Sequence, residues 1–133
     1  MQEVAIYIIL LFPLIWEVAS DSYRILVRKK TDNHKTDLYT RTLMCVSVGL
    51  ILHWEGGYPF LPGFIYSGTI FIALFDLIMG VILHGNPFYR GSTSVTDRWL
   101  LSHADPLTEV FIRAWILSVG IGCFYHWESV VGK

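Results

Sequence analysis

Four apolar stretches, roughly residues 4–22, 42–57, 63–84 and 108–128, divide this chain and constrain its fold more than any other feature. A bilayer span needs about 20 mostly apolar residues. The third stretch meets this with one interruption, Asp76. The others reach that length only by taking in Glu17, the His-Trp-Glu sequences at 53–55 and 126–128, or Arg113. Charged residues make up 16% of the chain, against about 25% in soluble domains. The expectation is an all-α integral membrane protein. It is a four-helix bundle forming one transmembrane domain over 1–133, with a short interfacial helix before the last span. The amino terminus has no basic start, and its apolar run closes on Trp16-Glu17 rather than at a small-residue cleavage site, so it reads as a retained transmembrane helix. Cys45 and Cys123 both lie inside apolar runs, as small buried thiols rather than a disulfide pair.

Basic residues set the expected orientation. Arg24, Arg28, Lys29, Lys30, Lys35 and Arg41 lie between the first two spans, and Arg90 and Arg98 between the last two. The opposite side carries Glu3, Glu55 and Glu128. The positive-inside rule then places both termini outside the inner membrane and both long loops in the cytoplasm. A net charge of -1 gives no reason to expect a nucleic-acid partner. The segment Gly56-Gly57-Tyr58-Pro59-Phe60-Leu61-Pro62-Gly63 predicts a tight turn that makes spans two and three a hairpin.

One phrase occurs twice: Gly-x-x-x-His-Trp-Glu at Gly49–Glu55 and at Gly122–Glu128. Residues four apart share a helix face. Cys45-Gly49 and Ala114-Ser118-Gly122 are therefore stripes of small residues, and Gly68, Asp76, Gly80 and His84 share a face of the third span. Such stripes let helices pack closely in lipid. A sharper alternative is haem, because His53 and His126 fall at similar depth and each follows a glycine by one turn, which suits bis-His ligation. The plainer expectation is no cofactor, with His and Trp anchoring the helix ends at the outer rim.

A charge at Asp76, near the middle of a span, calls for an interior position and a partner, and Arg113 is at matching depth. This reads as a structural ion pair. With Glu17 and Asp21 added, the alternative is a proton or ion pathway.

The segment Gly85–Leu107 holds the richest set of polar groups. Ser94-Val95-Thr96-Asp97 has the form of a capping box opening the interfacial helix. Arg90, Ser92, Thr93, Ser94 and Arg98 make a candidate anion site at the level of lipid headgroups. His84, Asp97, His103, Asp105 and Glu109 are residue types that bind metals, without a tight ligand spacing. The run Phe75-Asp76, Gly85-Asn86-Pro87-Phe88-Tyr89-Arg90-Gly91-Ser92-Thr93-Ser94, Asp97-Arg98 resembles small uncharacterised membrane proteins of tailed phages and prophages from Bacteroidetes-type hosts. The resemblance covers the third span and the following loop, and implies no activity. Tyr89-Arg90-Gly91-Ser92-Thr93-Ser94 is more faintly similar to the His-Arg-Gly-x-Thr-His-Ser motif of membrane-bound metal-dependent hydrolases, but lacks both histidines.

The function expected from these residues is that of a small polytopic membrane protein of phage type. It acts by helix association, with itself or with a membrane partner, in contact with the lipid bilayer, and no catalysis is assigned to it. A haem-carrying redox protein and a lipid-phosphate enzyme built on the inner loop are the alternatives.

Overall fold

The computed structural model describes residues 3–29, 34–89, 102 and 104–131. Among these are four long helices: α1 (Glu3–Leu26), α2 (His34–Gly56), α3 (Phe60–His84) and α4 (Pro106–Val131). Each runs antiparallel to the next. The segments 4–26, 60–84 and 106–126 are long and apolar enough to cross a membrane. The α2 helix is of similar length, but its first turns carry His34, Lys35, Asp37 and Arg41. The expected interfacial helix, the Ser94-Asp97 box and the whole Arg90–Arg98 candidate anion site lie outside the described residues.

The arrangement is built around α3, which packs on all three other helices, while α2 and α4 lie along α3 rather than along each other. The core is a column of large apolar side chains: Leu10 and Leu14 from α1, Val48 and Leu52 from α2, Ile70, Phe71 and Phe75 from α3, and Phe124 from α4. One buried hydroxyl joins three helices. Ser67 on α3 donates to the Leu10 carbonyl on α1 at 3.3 Å and lies 3.8 Å from the Cys45 thiol on α2. Pro13 lies inside α1 and has no amide to give the Ile9 carbonyl, one residue before Leu10.

The hairpin between α2 and α3 forms as expected but is tighter. Gly57, at φ 70, ends α2 in the left-handed region, and the Tyr58 amide closes back on the Leu52 carbonyl at 3.1 Å. Only 57–59 separate the helices. Pro62 and Gly63 do not break α3 but lie in its first turn, where a proline has no amide bond to lose. At the other end Gly85, at φ 66, stops α3, with its amide on the Val81 carbonyl at 2.9 Å. The following turn folds over Gly80 so closely that a Cβ there would meet the Asn86 carbonyl at 2.6 Å.

The small-residue stripes resolve unequally. Gly49 packs under Phe60, and Gly63 stacks against Gly49 and Leu52 at the α2–α3 crossing. By contrast, Gly122 has open space beside it, and Ala114 and Ser118 are exposed. The glycine that seats α4 on α3 is Gly120, whose missing side chain leaves room for Thr69 and Tyr66. The α3 stripe does not pack a helix either: Gly68 is open, Asp76 and His84 are exposed, and Gly80 receives the turn. Cys45 is buried as expected, whereas Cys123 is exposed.

Candidate functional site

The buried charged side chains are concentrated in one layer of the molecule, toward the C-terminal ends of α1 and α3. Two arginines approach α3 there from different helices. On α2, Arg41 extends the stripe of Cys45, Val48 and Leu52 by one turn and so points at the core. Its guanidinium donates to Asp21 at 3.0 Å and contacts Glu17 at 3.5 Å, both on α1. It also lies over the rings of Phe75 at 4.4 Å and Phe71 at 5.3 Å on α3. Arg24 adds a second donor to Asp21 at 2.5 Å. Glu17 and Asp21 are 5% and 2% exposed, so these carboxylates need the cations beside them. Two acids and two bases leave this cluster neutral.

Across α3, Arg113 on α4 docks on backbone. Its Nη1 donates to the carbonyls of Ile72 at 3.0 Å and Ala73 at 2.9 Å. The fully buried Ala73 has no side chain long enough to block this approach. Nε and Nη2 both bind Glu109, one turn earlier on the same helix, at 2.8 and 2.6 Å. The expected partner, Asp76, is present but secondary: its carboxylate is 3.6 Å from Nη2, and its side chain is 53% exposed rather than interior. The reason is geometric. A guanidinium at Arg113 meets Glu109 by simple i,i+4 stacking, and Asp76 sits at the edge of the α3–α4 contact.

The Asp76–Arg113 contact forms, whereas the four residues that the pathway alternative groups together are divided. Glu17 and Asp21 join Arg41 and Arg24, while Asp76 and Arg113 join Glu109. Arg41 and Glu109 were not among the residues singled out for this role. Both were legible, Arg41 from its place on the Cys45-Val48-Leu52 face and Glu109 from its spacing to Arg113. The ion pairs of the two clusters join carboxylates to guanidinium groups. Their chemistry is mutual neutralisation and helix fastening.

The histidines of the repeated phrase occupy helix ends on separate helices. His53 is exposed, and its Nδ1 bonds the Tyr58 carbonyl at 3.0 Å. A carbonyl only accepts, so Nδ1 is the donor in this bond. His126 is also exposed. Among the described residues no group of three or more His, Cys, Asp or Glu could hold a metal ion. Asp105 has a local duty: its carboxylate accepts the Thr108 amide at 2.8 Å and caps α4. Hydrogen bonding by the Thr108 side chain first, and by its amide second, holds the Asp105 carboxyl below the ordinary aspartate range.

These features define a helical protein with three helices fit to span a membrane and two ion-pair clusters, one joining α2 to α1 and one docking α4 on α3. The chain matches no family model, no curated protein and no solved structure.

Proposed function

We propose that this chain is a small integral membrane protein of phage type that works by helix association and not by catalysis. One observation carries the reading: the Ala114-Ser118-Gly122 stripe lies on the exposed side of α4, opposite the buried Glu109, Arg113, Gly120 and Phe124. Within the chain, close helix approach is already supplied by Gly49, Gly63 and Gly120. The outer stripe is surplus to the fold. The Ser118 hydroxyl bonds back to the Ala114 carbonyl at 2.8 Å, which lowers its polarity toward lipid. Phe111 and Trp115 stand beside it, 67% and 70% exposed. Small residues between large ones form a groove that a second helix enters, as lipid offers no hydrophobic drive for association. Copies inserted in the same direction bring this stripe against itself about a two-fold axis along the membrane normal. The α2 helix completes a fourth crossing, because Arg41, its most costly residue there, is matched by Glu17 and Asp21.

The test is the oligomeric state of the full chain in detergent and in lipid nanodiscs. Ser118→Ile with Gly122→Ile is expected to convert the associated form to monomer while helicity and melting temperature hold. Gly120→Ile is expected to do the reverse, lowering the melting temperature because its side chain collides with Thr69. A wild-type chain that is monomeric at every protein-to-lipid ratio, or a double variant that associates unchanged, overturns the proposal.

A further inference from the structure

The α1 and α2 helices are fastened at one end by Arg41 and stand apart above it. The gap is a groove of about 470 Å³, open along its side, in which Ile8 and Phe12 of α1 face Met44 and Ile51 of α2. Its two polar residues present little to a ligand, since the Ser47 hydroxyl is bonded to the Leu43 carbonyl at 2.9 Å and Thr40 also has a partner. We propose that this groove holds one acyl chain of an anionic phospholipid from the leaflet nearest Arg28 and Lys29; the proposal rests on the membrane reading above.

Three observations select this occupant. The first is size. A helix lying along the groove from Thr40 to Ile51 fills about 1,300 Å³ at a 10 Å diameter, more than the roughly 930 Å³ of empty space there even with the open side counted. The second is length. Those eleven steps span about 16 Å at 1.5 Å per residue, and half of a bilayer's hydrocarbon is about 15 Å deep. The third is charge. Arg24 and Arg41 are committed to Asp21 and Glu17, but the exposed Arg28 and Lys29 follow at the end of α1 with no carboxylate partner among the described residues. The Arg41–Asp21 pair sets the Thr40 end of the groove level with Asp21, and Arg28 and Lys29 follow seven and eight residues later, on the side where the headgroup of a lipid with its tail inside would emerge. A phosphate there is favoured by two uncompensated cations.

The experiment uses the full chain in nanodiscs of phosphatidylglycerol or phosphatidylcholine, with a trace phospholipid carrying a photoactivatable group in its acyl chain. Labelled positions are mapped by mass spectrometry. Labelling is expected at Phe12, Met44 and Ser47, several-fold above that at Phe111 and Trp115, and stronger in phosphatidylglycerol. Ser47→Trp, or Ile8→Trp filling the same space from α1, should remove it. Arg28→Glu with Lys29→Glu should abolish the preference for phosphatidylglycerol while leaving the tail in place. Even labelling of all exposed faces, persistence of groove labelling in both Trp variants, or crosslinks joining the groove to a second copy would overturn the proposal. Alkaline carbonate extraction separates the two readings: a chain released from membranes ends the membrane reading itself, whereas one that stays but is not labelled in the groove ends only this inference.

Discussion

Arg113 makes four donor contacts, two to Glu109 and two to the α3 backbone, before it reaches Asp76. Energetic weight should follow that order. Arg113→Met strips the 2% exposed Glu109 carboxylate of its guanidinium. Breaking a buried pair in this way costs about 3–5 kcal/mol. Arg113→Met together with Glu109→Leu should recover most of that loss, because no buried charge remains. Asp76→Asn should cost under about 1 kcal/mol, as for a solvated ion pair. Unfolding of the purified chain in mixed micelles measures all three. A larger loss for Asp76→Asn than for Arg113→Met would refute this ranking. Sequence reasoning found the Arg113–Asp76 proximity from matched depth alone. It could not rank Glu109 above Asp76, because depth says nothing of which side of α3 a residue occupies.

At the scale of the helix, ends and faces obey different rules. The ends are local. Pro106 opens α4 as the sequence suggests, and Asp105 caps it through the Thr108 amide. The carboxyl of Asp105 is held below its ordinary range by the Thr108 side chain and, second, by that amide. A depressed folded value means that the cap's contribution is present above the unfolded value, near 3.8, and is lost as pH falls through the lower folded one. The protection factor of the Thr108 amide, its exchange rate relative to an unstructured peptide at the same pH, should therefore hold at neutral pH and fall only in acid, while Asp105→Ala should remove it throughout. Protection retained in that variant would show that something else caps the helix. Faces, by contrast, are relational. Gly49 and Gly122 stand in the same seven-residue phrase, yet one is packed under Phe60 and the other is open. A stripe of small residues says that a close approach is available, and only the position of the neighbouring helix says whether it is used. Gly120 escaped notice for the same reason: it has no small partner four residues away.

For the whole molecule, the charge map and the packing can be tested separately. Topology in a membrane is set by flanking bases, so exchanging Lys29, Lys30 and Lys35 for Glu should disturb the orientation of the first two helices in a reporter-fusion assay. Cytoplasmic signal from both termini of the unmodified chain would reverse the orientation proposed. By itself the sequence determined the four long helices found among the described residues, the α2–α3 hairpin and the membrane-compatible hydropathy of α1, α3 and α4, but not where α2 begins, at His34 rather than near 42. These follow from period, turn residues and composition, which act over a few residues. The tertiary structure decided that α3 is the hub, that the ionic residues form two clusters instead of one, and that the clearest small-residue stripe faces away from the chain. Those depend on how each helix is rotated about its own axis. Rotation is settled by contacts between distant segments, such as Ser67 with Leu10, Arg41 with Asp21 and Gly120 with Thr69, which no local pattern encodes.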